Sequence, residues 1–497
     1  MSIATSSVSA SFSPSRPCRL ADVPRWDGDA DVLIVGLGVA GACVALEAAR
    51  GGASCQVFEA ASAPGGSSAL SGGEIYFGGN GGTPVQRAHG YEDATADFQA
   101  YLMMAGGPGA DEEKVRRYAE GALAHYDWLV AQGVPFKGTY HPTRTVEPVT
   151  DDTLVWTGSE AAWPFCGQAK PAPRGHAVQK TGTGAGKVLM EKLVGRMAEE
   201  PRIRTECNAR ALALIADEAN RVHGLVVRID GEARFWRAKK GVVLCAGGFV
   251  CNDTMVRNYA PDAQRLKVPV SGGGDDGSGI RMGMSVGAAA IHMDEFMATR
   301  PFLPPEDLMK GIFVNERGQR FINEDVYHGR IGRYCLKQPN GRSWLLLDHA
   351  IFARPVLFPG VEIAAVGESW DEIEAALGLP AGELVNTVER YNHHAEAGCD
   401  PVFHKQMPWL KPLTEAPFAA LSLCDEDWPA AGFTLGGLMT RPEGQVLDPE
   451  GSAIPGLYAA GRTACGLPRW GEGYSSGLSL ADASFFGRLA GKHLAGD

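Results

Sequence analysis

Apolar residues fall along this chain in short runs whose period changes wherever glycine intervenes. Asp31 to Val35 (DVLIV) is a brief run of branched side chains closed by Gly36, the pattern of a strand buried on both faces of a parallel sheet. A helical pattern follows from about Val39 to Arg50. Cys55 to Phe58 (CQVF) then predicts a second strand ending at Glu59, so the chain opens with a βαβ unit. From Gly65 to Gly82 the sequence GGSSALSGGEIYFGGNGG is too polar and glycine-rich for regular structure to be expected. Helical periodicity covers about Thr95 to Gln132 and Gly186 to Glu199, and strands are expected at Ala211 to Ile215, Val222 to Ile229 and Gly241 to Leu244.

Texture changes between about 291 and 410, where proline and aromatic residues are more frequent and short helices are expected near Asp371 to Ala376 and Leu384 to Glu396. Strand patterns return at Gln445 to Leu447 and Gly456 to Ala459, and a helix is expected from Ser479 to Leu494. This order predicts an α/β protein with a Rossmann-type nucleotide domain built from 30–290 and 411–497. An α+β cap, 291–410, is inserted into it, and 1–29 forms a flexible tail.

Charge and composition narrow the function. The chain has 46 Lys+Arg against 58 Asp+Glu, a net charge of −12, which excludes a polybasic nucleic-acid binder because duplex affinity is largely phosphate neutralisation. Its 64 glycines are roughly twice the usual ~7% share, implying many tight turns and close backbone approaches. Eleven cysteines with no CxxC pair suit neither a disulfide framework nor a zinc module, so no metal site is expected and reduced thiols in the cytoplasm are the simplest reading. The opening MSIATSSVSASFSPSRPCRL has no apolar core of a secretory signal. The run from Val32 to Ala49 is interrupted by glycines and Glu47, so no membrane span is expected there.

Gly36-Leu37-Gly38-Val39-Ala40-Gly41 follows a strand and opens a helix, with acidic Glu59 closing the next strand. In that context the glycines allow a tight turn and close approach of a pyrophosphate, the helix N-terminus stabilises its charge, and Glu59 accepts from a ribose hydroxyl. A second, weaker string, TGTGAGKV, has Thr181 where a phosphate-binding loop needs its first glycine and Val188 where it needs a hydroxyl, and reads as an ordinary turn.

The segments GGSSALSGGEIYFGG, LCAGGF (Leu244 to Phe249) and GLYAAGR followed by a Gly/Ser loop and LSLAD (Gly456 to Asp482) together resemble the FAD-dependent fumarate reductase and 3-ketosteroid dehydrogenase superfamily. The resemblance covers nearly the whole chain from residue 31 and implies a non-covalent FAD. Its contacts would be Gly36, Gly38, Val39, Ala40, Gly41, Glu59 and Ala60, then Gly66, Ser67, Ser68, Ser71, Gly72 and Gly73. Ala211, Ala246, Gly247, Asp276, Gly461, Ser479 and Leu480 would complete the pocket. Arg462 stands where that family usually has Glu, so no ribityl contact is assigned to it.

Fumarate-reducing members of the superfamily clamp a dicarboxylate with arginines, one after an RFxNE motif and one in the late glycine loop. Here RFINE (Arg320 to Glu324) continues as Asp325-Val326-Tyr327-His328, so the first arginine position becomes His328 and the second becomes Tyr474 in GEGYSSGLS. A neutral set replaces the clamps: Tyr327, Tyr474 and Ser476, with Trp163, Phe165, Phe302 and Phe433 as candidate apolar walls. Neutral hydroxyls suit an uncharged ketone. The pairing of Tyr327 with GYSSG is similar to the 3-ketosteroid Δ4-(5α)-dehydrogenases, which implies desaturation of the C4–C5 bond of a hydrophobic 3-ketosteroid. Such a reaction polarises the C3 carbonyl, removes a proton from C4 and delivers the C5 hydrogen as hydride to flavin N5. Tyr474 with the Gly477 amide is assigned to the carbonyl and Ser476 to the C4 proton, relayed by Tyr327; the roles of Tyr474 and Ser476 are exchangeable. Three alternatives stay open. The first is a Δ1-dehydrogenase. The second is a fumarate or enoate reductase using Arg330 or Arg469. The third is a flavin electron-transfer subunit whose metal centres lie in a partner. The electron acceptor is not identified by the sequence.

Overall fold

A computed structural model describes residues 12–145, 147–300, 306–353 and 362–496. Its central sheet has nine strands. Along one path these are Cys18–Arg19, Arg210–Ala216, Val222–Ile229, Glu232–Leu244, Gly28–Val35, Cys55–Phe58 and Ile203–Glu206, while Ala453–Ala459 also pairs with Glu232–Leu244 and carries Gln445–Leu447 beside it. The strands that matter for function are parallel: Leu244 lies opposite Val35 and Ala459, and Val35 lies opposite Phe58. Their carboxyl ends are therefore level, and the residues that follow them share one rim, the position where ligands bind in open α/β sheets.

The apolar run Val32 to Val35 is wholly or almost wholly shielded from water, as a strand covered on both faces requires. Helix Val39–Arg50 covers one face and the last helix, Leu478–Ala495, packs along it. Small residues let the two backbones close: a Cβ on Gly487 would stand 2.8 Å from the Ala40 carbonyl oxygen, and one on Gly491 would stand 2.6 Å from that of Val44.

A second core, gathered mainly from Leu308 to Cys424, surrounds a four-stranded antiparallel sheet in the order Ile312–Asn315, Ser343–Leu347, Phe418–Ser422, Ile363–Gly367. Helices Trp370–Leu377 and Glu383–Glu396 occur close to their expected places. This core runs past residue 410. Ala430–Thr434 then pairs with Phe296–Thr299 and Leu266–Pro269.

Three local expectations differ from the structure. The glycine-rich stretch contains a short helix, Gly66–Ala69, and a strand, Glu74–Tyr76, the latter held by Gly175–Ala177. The helical stretch after Thr95 is two helices, Thr95–Gly106 and Glu112–Ala131, parted at the Gly-Gly-Pro-Gly of 106–109. Residues 12–29 are not a free tail. Cys18 and Arg19 pair with Ile215 and Ala216, and Phe12, Leu20, Val23 and Trp26 pack on Ala213, Ile215 and Val226, so apolar burial anchors them. The part of the expected tail before residue 12 lies outside the described residues.

Candidate flavin and substrate site

The rim assembles most of the expected cofactor residues. Gly36 leaves its strand at φ +95°, and a Cβ there would stand 2.4 Å from the Cys245 carbonyl oxygen, so the first turn requires glycine. Gly38 precedes helix Val39–Arg50, whose N-terminus has no side-chain cap of its own and borrows one: the Val39 amide donates to Ser68 Oγ at 3.1 Å. Glu59 accepts from the Leu37 amide at 2.7 Å and, through its other oxygen, from the Ala61 amide at 2.8 Å. In this structure the acidic residue thus holds the glycine loop and the next turn together. Ala60 is exposed beside it, and Ala211 is buried in the strand beyond.

The serine segment is tied to the rim by Asp275. Ser67 Oγ donates to Asp275 Oδ2 at 3.0 Å, the Gly248 amide donates to Oδ1 at 2.8 Å, and Arg462 Nη2 donates to Oδ2 at 2.8 Å. Burial pushes this carboxyl upward, but Arg462 and the hydrogen bonds outweigh burial and hold it below the ordinary aspartate range. Asp276, the residue expected from the sequence, points elsewhere: its side chain takes the Ser278 amide and pairs with Arg210 at 2.8 Å. Sequence reasoning set Arg462 aside and overlooked Asp275. Only a pairing across 187 residues reveals them. Gly247, held at φ +80°, and Ala246 lie in the same turn, and Gly461 follows the Ala453–Ala459 strand with Ala40 behind it. Gly66, Ser71, Gly72 and Gly73 line the serine segment, with Ser71 Oγ donating to the Ser68 carbonyl.

These residues fit a dinucleotide. A Cβ at Gly38 would press to 3.1 Å from Ser68 Oγ, closing the approach to the helix N-terminus, and Arg462 Nη1 is buried without a partner at the rim.

Three hydroxyls converge beyond the serine segment. Tyr327, immediately before helix His328–Leu336, is buried, and its hydroxyl lies 3.0 Å from Ser476 Oγ. Its amide donates to Ser159 Oγ at 3.0 Å, while Ser476 is clasped by Thr157, which accepts the Ser476 amide and donates to the Ser476 carbonyl. Tyr474 stands with its ring 6.0 Å from that of Tyr327, and its hydroxyl donates to Ser479 Oγ at 3.0 Å. Gly477, at φ +97°, then opens helix Leu478–Ala495, which places Ser479 and Leu480 in its first turn. Burial, and then the neighbouring Tyr474, keep the Tyr327 phenol far above its ordinary pKa; burial also raises Tyr474.

Of the candidate walls, Phe433 packs edge-on against Tyr474 with centroids 5.5 Å apart and carries the Arg462 guanidinium on its ring. Phe165 is buried against Tyr101, Trp163 is partly exposed against His404, and Phe302 lies outside the described residues. His328 shares its Nδ1 with Thr299 Oγ1 at 2.6 Å, and burial depresses its pKa to about 3, leaving a neutral ring where a dicarboxylate enzyme needs a cation.

Both substitute arginines have partners within the protein, although Arg330 Nε has none. Arg330 donates to the Glu472 carbonyl, pairs with its carboxylate at 3.8 Å and is stacked against Phe165, Tyr334 and Trp470. Arg469 is buried on the Gly466 and Gly109 carbonyls and Asp111. Arg144, near His328, is half-buried and donates to the carbonyls of Asp325 and Gly158.

Among the described residues no helix is long and apolar enough to cross a membrane, and the eleven cysteines are all unpaired thiols. Comparison with known proteins agrees with the rim. Residues 31–478 match the family described as FAD binding domain. The solved 3-ketosteroid-Δ4-(5α)-dehydrogenase of Rhodococcus jostii RHA1, in complex with 4-androstene-3,17-dione, is 42% identical; the match covers 97% of this chain and 99% of that one, with a TM-score of 0.90. The 3-oxo-5-alpha-steroid 4-dehydrogenase of Comamonas testosteroni is 28% identical over 89% of this chain and 94% of its own. A flavocytochrome c3 fumarate reductase shares the fold at 24% identity and a TM-score of 0.66, covering 95% of this chain and 79% of that one. The chain belongs to the FAD-binding flavoprotein oxidoreductases, in the branch that holds the 3-ketosteroid dehydrogenases.

Proposed function

We propose that the protein desaturates the C4–C5 bond of a 3-ketosteroid whose A ring is saturated. One observation carries this reading: Tyr327 and Ser476, 3.0 Å apart, form a buried, uncharged cluster with Tyr474 beside them, and the two positions that the resemblance gives to clamping arginines hold His328, a neutral ring, and Tyr474. The similar Rhodococcus protein supports it, because 4-androstene-3,17-dione has the 3-ketone and the 4-ene that this reaction would produce.

Bound FAD supplies the acceptor for the C5 hydride. The chain supplies the rest. Both phenols stay protonated at neutral pH, which suits Tyr474 to turn its hydroxyl from Ser479 to a ketone oxygen and strengthen that bond as enolate charge grows. The positive end of helix Leu478–Ala495, beginning after Gly477, adds to this stabilisation. In this reading Ser476 Oγ takes the C4 proton while its own hydroxyl proton passes to Tyr327, and the phenol proton of Tyr327 leaves in turn to solvent, so neither oxygen keeps an extra proton. Apolar walls such as Phe433 exclude water from the enolate.

Anaerobic mixing tests the assignment. A 5α-reduced 3-ketosteroid should bleach the flavin and yield the 4-ene, while succinate leaves it oxidised. Bleaching by succinate at a comparable rate would overturn it, and a 1-ene product would transfer it to the Δ1 reaction.

A further inference from the structure

Glu74 is a buried carboxyl that the proposed reaction does not use. It begins the strand Glu74–Tyr76, its backbone lies against Gly477, and its side chain turns back over Gly72: a Cβ placed on Gly72 would meet the two Glu74 carboxyl oxygens at 2.5 and 2.7 Å. The same point lies 3.0 Å from Cδ of Glu147, so two carboxyl groups converge over the glycine that the family resemblance assigns to the flavin. Glu74 Oε1 is buried and has no hydrogen-bond partner. An unsatisfied buried carboxyl oxygen costs free energy unless a ligand completes it.

The surroundings identify that ligand. On one side, through Gly72, is the serine segment, and on the other, through Gly477, is the loop that carries Tyr474 and Ser476, with Tyr327 on Ser476. The cofactor's reactive ring has to reach those hydroxyls from the serine segment, and Glu74 lies between the two. We propose that Glu74 binds the isoalloxazine end of FAD as a neutral carboxylic acid, beside the Glu147 carboxyl that converges on the same glycine.

A neutral carboxyl offers the ring one donor and one acceptor. Burial, then repulsion from Glu147, raise Glu74 to about 8. The groups facing it are Glu147, itself raised by burial and eased by the Gly184 amide and Lys180, and the two phenols, which are neutral at this pH. The N-terminus of helix Gly186–Ala198 lies behind Ser71. This inference concerns the cofactor and does not depend on which substrate is oxidised.

The test is the affinity of the apoprotein for FAD, read by quenching of flavin fluorescence between about pH 6 and about pH 9. If the protonated form binds, wild-type Kd should be flat below about 8 and rise up to about tenfold per pH unit above it. Glu74→Gln, which keeps donor and acceptor without a titrating group, should lose the slope above about pH 8, whatever its affinity at neutral pH. Glu147→Gln should move the break to lower pH, because the neighbouring charge is gone. A flat wild-type profile, or a slope that persists in Glu74→Gln, overturns the proposal. If Glu74→Gln fails to fold, Glu147→Gln decides: a break that moves down supports the proposal, and one that stays put refutes it.

Discussion

In the proposed reaction Ser476 and Tyr327 both start protonated, and burial makes the Tyr327 phenolate scarcer still, so proton removal from C4 is expected to depend on their contact at 3.0 Å rather than on either alone. Tyr474 would have the simpler task of donating. In Tyr474→Phe the lost hydrogen bond is one that strengthens toward the enolate, so the deficit should fall on turnover more than on binding, by on the order of 10² to 10³. Ser476→Ala should slow flavin reduction comparably, and Tyr327→Phe less. A C4-deuterated steroid, followed in stopped flow, reports whether proton removal limits each variant. Wild-type rates in both Tyr474→Phe and Ser476→Ala would make these hydroxyls structural. That these three hydroxyls belong together was readable from the sequence because they follow the local motifs RFINE and GEG, while the role proposed for each awaits these variants. The Asp275–Arg462 pair was not, since neither residue type nor spacing announces a contact made only when the sheet rim closes.

Elements whose identity depends on a long periodic run were the easiest to read: helix Val39–Arg50 and strand Val222–Ile229 occupy the expected residues. Glu74–Tyr76 was missed because three residues hold too little period, and only pairing with Gly175–Ala177 makes them a strand. The strand–turn–helix unit at 28–50 allows the fold and cofactor roles of its glycines to be separated. Gly36 is enclosed by backbone, its Cβ position lying 2.4 Å from the Cys245 carbonyl oxygen at φ +95°, so Gly36→Ala should destabilise the fold. At Gly38 the nearest atom is the Ser68 hydroxyl, 3.1 Å from the Cβ position, so Gly38→Val should fold and load no flavin. Circular dichroism with the visible flavin spectrum checks both. Full flavin content in a folded Gly38→Val protein would show the pyrophosphate approaching elsewhere.

For the whole molecule, acid is a specific hazard. His125, His176 and His328 are buried on Ser484, Thr83 and Thr299, and burial drives all three below the ordinary value, His176 to about 4 and His328 to about 3. In the unfolded chain they bind protons below about pH 6.5, while the folded chain refuses them, so stability should fall as pH drops through that value. The slope is about 1.4 kcal/mol per pH unit for each histidine, checked by thermal melts of the holoprotein from about pH 7 to about pH 5. Raised buried carboxyls such as Glu74 and Asp482 act in the opposite sense, so the histidine part is read as the difference in slope between wild type and His125→Gln or His176→Gln, and an unchanged slope in both variants would contradict the buried neutral rings. The close packing of helix Leu478–Ala495 on helix Val39–Arg50 bears on synthesis as well. A ribosome makes the glycine loop of 36–41 long before the helix that begins at Leu478 and packs beside it. The growing chain therefore carries an uncovered apolar helix face until that distant segment is made.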